Sequence, residues 1–195
     1  MKDRNRKQDI LEALARELES RPGARITTAR LAEAVGVSEA ALYRHFPSKA
    51  RMFEGLISFA EDGIFSRINQ ILEEDRETRQ RCARILYLML AFAERNPGIV
   101  RVLLGDALMG EHERLHDRIE AFFGRLQTQL RQVLRESQMR EDTSLCVAAE
   151  AAAEMLVVYV EGRMRQFLRT RFQATPLSNW DAEWRILDTG IFSRL

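Results

Sequence analysis

Residues 38–49 hold the side chains of this chain that are best suited to contact a nucleic acid. The Arg44 guanidinium presents two parallel donors that match the O6 and N7 acceptors of guanine, and the Lys49 ammonium suits a phosphate. Small or polar residues stand at the start of the segment, where a close approach to base edges would be needed. The candidate base-reading residues are Ser38, Glu39, Ala40 and Arg44. The segment therefore predicts a DNA-binding surface.

Two short helices around Gly36 must position these side chains. Thr27 and Ser38 each stand where a hydroxyl can accept from the amides of a first helical turn, so each predicts a helix start. Apolar residues that can bury against one another lie four apart on the two helices: Leu31 and Val35, then Leu42 and Phe46. Tyr43 and Arg44 then share the opposite face of the second helix. The pattern predicts a helix-turn-helix whose second helix lies in the major groove.

Other residues are predicted to hold the DNA backbone. Thr27 and Thr28 lie in the first turn of a helix, whose dipole and amides favour a phosphate, and Lys49 opens a later helix in the same way. Arg4 and Arg6 belong to a basic arm ahead of the first predicted helix. Two interpretations of this arm remain open. It contacts DNA, in the minor groove or at a phosphate, or it is a solvated terminus.

The segment Ile26–Ala50 resembles the signature of the TetR family of bacterial regulators, including its Tyr-x-x-Phe pattern and the Lys that opens the following helix. Ile26–Phe53, together with residues 94–98 and 129–136, resembles the nucleoid occlusion factors of proteobacteria within that family. The resemblance implies that Tyr43 and His45 contact the DNA backbone. It also implies that a homodimer reads palindromic double-stranded DNA, with room for more than one dimer at a site.

The same resemblance implies a protein partner. A nucleoid occlusion factor on its DNA site captures the C-terminal tail of the tubulin-like division protein FtsZ and prevents ring assembly over the nucleoid. The positions that match its tail-binding groove are Phe59, Arg67, Leu88, Arg95 and Asn96. The apolar pair suits a short peptide and the arginines suit its acidic groups. Core packing of the apolar pair and ordinary exposed charge would account for the same residue types.

Two other functions remain open. Most TetR-like regulators bind a small hydrophobic ligand in the helical body and then release DNA. The sequence disfavours an enzyme, because His45, His112 and His116 make no catalytic or metal-binding set with either cysteine. No Gly-rich phosphate loop is present. We therefore expect no catalytic residue, cofactor or metal.

Hydrophobic periodicity is helical nearly throughout the chain. It predicts an all-α fold, with a three-helix DNA-binding head at residues 1–48 and a six-helix dimerisation and partner-binding body at residues 49–195. The helix Lys49–Glu74 joins the two without a linker. The other predicted body helices are Glu77–Arg95, Ile99–Leu108, a long helix from about Leu115, one over about Thr143–Phe172 and one over about Asp181–Phe192.

The predicted helix near Thr143–Phe172 is apolar over more than one stripe. Leu145 and Tyr159 lie on its first stripe, and Val157 and Val160 add apolar surface beside it. A surface of this width predicts either a wide monomer core or a homodimer interface. In TetR-like proteins the last helices form such an interface. Residues 140–160 resemble the family poorly, so a locally remodelled dimer surface is expected.

Composition narrows the class of protein further. Residues 1–55 carry eleven Lys or Arg against eight Asp or Glu, so the excess positive charge coincides with the helix-turn-helix. The longest apolar run, near Ile85–Ala93, is too short to span a bilayer, and the N-terminus is polar. These features predict a cytoplasmic, nucleoid-associated protein without membrane contact. Cys82 and Cys146 lie in apolar segments and are predicted to be buried structural thiols.

Overall fold

Helices form most of the part of the chain that the computed structural model describes, which is the backbone of residues 2–140 and 144–193 and the side chains of residues 6–137 and 144–193. The helices in this part are α1 (Lys2–Ser20), α2 (Thr28–Val35), α3 (Glu39–His45), α4 (Lys49–Glu74), α5 (Thr78–Arg95), α6 (Pro97–Leu103), α7 (Arg114–Arg140), α8 (Ala149–Arg169) and α9 (Trp180–Ile191). A short 3₁₀ turn, Asp106–Leu108, follows α6. The all-α prediction is confirmed.

These helices are divided between two compact units. The first unit contains Met1–Glu61 and Asn96–Ile119, and the second contains Asp62–Arg95 and Glu120–Leu195. The first unit therefore holds α1, α2 and α3, the first half of α4, and α6. Residues 96–119 lie outside the head that the sequence predicted, and they join it only in three dimensions.

A close helix crossing joins α6 to α1 within the first unit. A Cβ atom at Gly98 would lie 2.0 Å from the carbonyl oxygen of Ala15, so the two backbones can approach this closely only at a glycine. One turn later, Arg101 is 1% exposed. Its guanidinium donates to the carbonyl oxygens of Leu18, Arg21 and Ala24 and to the carboxylate of Asp106. Arg101 thus ties the end of α1 and the turn before α2 to α6.

The inner face of α5 belongs to the core of the second unit. Ile85, Leu86 and Met89 are fully buried there, and α5 packs on both α8 and α9. Cys82 is buried on the same helix, and burial raises the pKa of its thiol to about 12. The prediction of a buried thiol is confirmed for Cys82.

The segment before α8 differs from the prediction. The helix begins at Ala149, and Leu145 forms an antiparallel bridge with Phe192. In this bridge the Cys146 amide donates to the Ile191 carbonyl oxygen at 2.8 Å. Cys146 is exposed, so its prediction as a buried thiol is wrong. A two-residue bridge between distant parts of the chain leaves no local periodicity, so the sequence pattern did not reveal it.

Two predicted helices are shorter in the structure. The predicted helix Ile99–Leu108 is interrupted by Gly105, which has a φ of 75° and follows the end of α6. The helix predicted to reach Phe172 ends at Arg169, because Arg171 and Phe172 have left-handed φ values of 51° and 64°. The Phe172 ring packs edge-on against Phe167, with the ring centres 5.1 Å apart.

Candidate DNA-binding surface and peptide groove

The helix-turn-helix forms with the predicted caps. The Thr27 side chain accepts from the Arg30 amide at 3.4 Å, and the Ser38 side chain accepts from the Ala41 amide at 3.2 Å. Gly36 ends α2 in the left-handed conformation, with a φ of 73°. The predicted starts of α2 and α3 and the turn between them are confirmed.

The two helices pack through the predicted apolar residues. Leu31 and Leu42 are almost fully buried, and Ile26 and Phe46 are also buried. This packing fixes the outward face of α3. The residues exposed on it are Ser38, Glu39, Ala40, Tyr43 and Arg44. Arg44 makes no ion pair with any described residue, so its guanidinium is available to a base edge.

Two side chains predicted to contact phosphate are bonded within the first unit. The Thr28 hydroxyl donates to the Glu39 carboxylate at 2.7 Å. The Lys49 ammonium lies 2.5 Å from a carboxylate oxygen of Glu111 and 5.7 Å from the centre of the Phe53 ring. A phosphate would therefore compete with Glu111 for Lys49, which the sequence did not indicate.

The basic arm is part of α1, because this helix begins at Lys2 and not after the arm. Arg6 is exposed in the helix and lies 3.8 Å from the Asp9 carboxylate. The side chain of Arg4 lies outside the described residues. His45, at the end of α3, is half-buried.

A groove of about 410 Å³ lies in the second unit, between the second half of α4, the outer face of α5 and the start of α9. Three of the predicted partner-binding residues line it, namely Arg67, Leu88 and Arg95. The groove is also lined by Gln70, Ile71, Glu74, Ala83, Arg84, Tyr87, Ala91 and Trp180. The structure thus brings together predicted residues from α4 and α5.

The other two predicted partner-binding residues do not line this groove. Phe59 lies on the α4 segment of the first unit and is exposed. Asn96 also belongs to the first unit, where it is half-buried at the start of α6. The exposed ring of Phe59 does not fit the alternative of simple core packing.

Aromatic rings form one wall of the groove, and arginines surround it. The Tyr87 ring packs edge-on against Trp180, and Trp180 stacks on Trp184, with 5.8 Å between ring centres in both pairs. Arg67 donates to the Gln70 side chain at 2.9 Å. Arg84 is held by Glu74 and Asp75, and its hydrogen bond to Glu74 raises the guanidinium pKa.

Unlike Arg84, Arg95 is exposed and forms no ion pair with any residue that the structure describes. It therefore remains available to an acidic group that enters the groove. Sequence reasoning missed Tyr87, Arg84 and Trp180. The spacing of Trp180 and Trp184, one helical turn apart, was the available signal for the aromatic wall.

Within the described residues, no three His, Cys, Asp or Glu side chains cluster closely enough to hold a metal ion. No helix in that part of the chain has the length and hydropathy needed to cross a bilayer.

Comparisons with known proteins match both regions. Residues 10–56 match the model of the tetR family of bacterial regulatory proteins, and residues 76–191 match that of the SlmA-like tetracyclin repressor-like C-terminal domain. The nucleoid occlusion factor SlmA of Idiomarina loihiensis is 53% identical over 190 residues, which cover 97% of each chain. The chain belongs to the SlmA family of TetR-like regulators. SlmA of Shewanella baltica is 54% identical over 183 residues, covering 94% of this chain and 93% of its own.

Solved structures of TetR-like regulators share the SlmA-family fold seen here. A TetR transcription regulator from Haloarcula marismortui aligns with a TM-score of 0.81 at 17% identity, over 97% of this chain and 99% of its own. FadR from Bacillus subtilis, solved with stearoyl-CoA, aligns with a TM-score of 0.75 at 14% identity, over 94% of this chain and 98% of its own. At these identities the likeness shows the fold alone. The family is one of DNA-binding regulators and not of enzymes.

Proposed function

We propose that this SlmA-family protein is a nucleoid occlusion factor that binds palindromic chromosomal sites as a homodimer and, while bound, holds the C-terminal tail of FtsZ. In this role it antagonises assembly of the division ring over the nucleoid. The observation that carries the proposal is the groove in which Arg67, Leu88 and Arg95 meet, in a chain that also exposes a helix-turn-helix. The relatives named nucleoid occlusion factor, at 53–54% identity, support the same role.

The contacts to DNA divide into positioning and reading contacts. In this proposal the first turn of α2 at Thr27 and the start of α4 at Lys49 hold phosphates, and Tyr43 and His45 contact the same backbone. The exposed face of α3 is left to read bases in the major groove, with Arg44 on a guanine. The arm at Arg4 and Arg6 adds a further backbone or minor-groove contact.

Exposed apolar residues support the homodimer. Met155 and Val158 on α8 are each 55% exposed, and Ile186 on α9 is 72% exposed. The apolar surface that was predicted beside the first stripe of α8 is used within the chain, since Val157 and Val160 are buried. A second apolar face that remains exposed on the same helix is typical of an oligomer interface. A twofold dimer would place its recognition helices about 34 Å apart, as a palindrome requires.

The groove has the chemistry of a peptide site. Leu88 and the rings of Tyr87 and Trp180 offer apolar contacts for one or two anchor residues. Arg67 and Arg95 stand at the same groove and can pair with acidic groups of the tail. A short tail of mixed apolar and acidic residues matches both features. Phe59 and Asn96, which belong to the first unit, remain predicted partner-binding residues.

The alternative of a repressor that releases DNA on binding a small hydrophobic ligand is less supported. The regulator solved with stearoyl-CoA shares only 14% identity with this chain, which carries no argument about ligands. The relatives above 50% identity are nucleoid occlusion factors by name.

The test begins with selection of the preferred duplex from a random pool, followed by titration of FtsZ polymers with the protein, with and without that duplex. We expect the duplex to strengthen disruption of the polymers. Leu88→Ala and Arg95→Ala should weaken disruption and leave duplex affinity unchanged. Arg76→Ala, which removes an exposed arginine between α4 and α5 that does not line the groove, is the matched control and should change neither measurement.

Polymers that remain intact at saturating protein and duplex would overturn the FtsZ part of the proposal. Release of the duplex by a lipophilic compound in the same assay would favour the repressor. A single dissociation constant for an isolated half-site, with no gain from the second half-site, would overturn the homodimer.

A further inference from the structure

The hydrogen bond between Thr28 and Glu39 connects the two helices of the helix-turn-helix on its outer side. Thr28 opens α2 and Glu39 opens α3, and their side chains meet at 2.7 Å. The Thr28 hydroxyl is the donor, since an ionised carboxylate can only accept. The bond therefore orders a carboxylate that would otherwise rotate in solvent.

The ordered carboxylate retains acceptor capacity. Glu39 accepts from Thr28 through Oε2, and it is exposed in the first turn of α3, as are its sequence neighbours Ser38 and Ala40. A carboxylate has about four lone-pair positions, so Oε1 and part of Oε2 remain open to a ligand. Such a group needs a donor, and it repels phosphate oxygens. A role in holding the DNA backbone is therefore excluded for Glu39, in contrast to Lys49.

Donors in the major groove are few, which limits the base that Glu39 can read. Cytosine presents its N4 amino group, and adenine presents its N6 amino group beside the N7 acceptor. Guanine and thymine present acceptors at the corresponding positions. Because a carboxylate has no donor to offer N7, it matches cytosine better than adenine. An amide side chain, which both donates and accepts, matches adenine instead.

We propose that Glu39 is a specificity-determining residue that accepts a hydrogen bond from the N4 amino group of a cytosine in each half-site, and that Thr28 is the positioning residue that orients its carboxylate. This inference rests on the proposed binding of palindromic DNA. It assigns Thr28 to orientation of a base-reading group rather than to a phosphate contact.

The experiment uses the full-length protein and the palindrome that the wild-type protein selects. Every position of one half-site is changed to the three other bases, and duplex affinity is measured for the wild type, Glu39→Gln, Thr28→Val and Thr28→Ser. Glu33→Gln, which changes an exposed carboxylate on α2, is the matched control. Circular dichroism confirms that each variant is folded.

We expect one C·G pair per half-site at which the wild type loses roughly fivefold to tenfold in affinity on any change of base. Glu39→Gln should lose this preference at that position alone and gain affinity for A·T there. Thr28→Val should weaken the same preference, and Thr28→Ser should restore it because it retains the hydroxyl. A duplex with N4-methylcytosine at that position, whose methyl group replaces the donor in the major groove, should weaken wild-type binding and leave Glu39→Gln unaffected.

Three results would overturn the inference. In the first, Glu39→Gln binds all duplexes more tightly with an unchanged base preference, so that Glu39 only repels phosphate. In the second, Thr28→Val and Glu39→Gln lower stability without altering any base preference, so that the bond only braces the two helices. In the third, Glu39→Gln relaxes preference at no position or at all positions equally. Failure of the wild type to select any palindrome is a different outcome, since it would contradict the proposed function itself.

Discussion

The DNA-binding surface of the first unit and the groove of the second unit differ in how the chain brings their residues together. The surface is made almost entirely by residues 27–49, on two short helices and the start of a third. The groove takes residues from α4, α5 and α9, from Arg67 to Trp180. The first can therefore be recognised from local spacing, whereas the second exists only when distant helices pack.

The two regions also differ in what holds them. The DNA-binding surface is short in sequence, yet α6 supports it from far along the chain through Gly98 and the buried Arg101. The groove lies on the outer face of α5, whose inner face is core. The DNA-binding surface is encoded within residues 27–49, yet it depends on α6 for support. Of the changes predicted below, loss of this support should have the largest effect on the free energy of unfolding.

Arg101→Met should reduce the free energy of unfolding by about 3–5 kcal/mol, because it leaves one buried carbonyl oxygen, two part-buried carbonyl oxygens and Asp106 without their donor. Urea unfolding followed by far-ultraviolet circular dichroism measures this. Arg95→Met, an exposed arginine on α5, is the control and should change the free energy by less than about 0.5 kcal/mol. Equal effects of the two changes would show that the first unit does not depend on α6.

Arg44→Ala should reduce the discrimination between the selected palindrome and random duplex by about 1–3 kcal/mol, since it removes the proposed pair with guanine. Competition binding at fixed salt measures this. Arg44 does not line the groove. Arg44→Ala should therefore reduce the disruption of FtsZ polymers only in proportion to the loss of protein bound to the duplex. Equal losses on the palindrome and on random duplex would contradict the base-reading role.

Trp180→Ala should weaken the effect on FtsZ polymers by more than about fivefold, because truncation of a packed aromatic at the centre of an interface typically costs over 1 kcal/mol. Affinity for the palindrome should stay constant. Met109→Ala removes a highly exposed apolar side chain of the first unit and should leave both measurements unchanged. An unchanged polymer assay for Trp180→Ala would show that the aromatic wall is not part of the peptide site.

Lys49→Ala should weaken binding to all duplexes alike and lower the slope of log K against log salt by about 0.9, the value for one phosphate contact. Glu111→Gln should act in the opposite direction, since it removes the carboxylate that competes for Lys49. Its gain should be about 0.2–1 kcal/mol on specific and random duplex alike. A loss of affinity for Glu111→Gln would show instead that Glu111 orients Lys49 for the phosphate.

The two thiols should differ in reactivity without a large effect on either function. Since burial raises the pKa of the Cys82 thiol to about 12, the native protein should leave Cys82 unmodified by iodoacetamide between pH 7 and pH 9. Cys146 is exposed and should be modified under the same conditions. Peptide mapping by mass spectrometry measures both rates. Rapid modification of Cys82 would show that the core beneath the groove opens readily.

Much of the fold could be predicted because caps, glycines and apolar spacing are local signals. Thr27, Ser38 and Gly36 marked the helix-turn-helix, and α4 was placed at Lys49–Glu74, as observed. One error falls where a pairing between distant residues overrides periodicity. The bridge between Leu145 and Phe192 is such a pairing, and it replaced the predicted first turns of α8.

The candidate sites were predicted unevenly for the same reason. Resemblance indicated Arg67, Leu88 and Arg95, but Tyr87 and Trp180 join them only because α5 and α9 pack together. Within the DNA-binding surface, the residue types were evident from the sequence, but their partners were not. The hydrogen bond of Thr28 to Glu39 and the ion pair of Lys49 with Glu111 depend on side-chain positions across helices.

The sequence by itself determined that this chain is helical, that it carries a helix-turn-helix, and which residues face outward on α3, because these follow from the 3.6-residue period and from capping within a few residues. Only the tertiary structure decided that α6 supports the DNA-binding helices and that an aromatic and cationic groove exists. Arg101 bonds to carbonyl oxygens about 80 residues earlier in the chain, and Leu88 and Trp180 line one groove although they are far apart in sequence. Removal of apolar surface from water stabilises such packing, and the hydrogen bonds from Arg101 offset the cost of taking backbone carbonyl oxygens out of water. No local sequence pattern specifies which distant residue supplies either contribution.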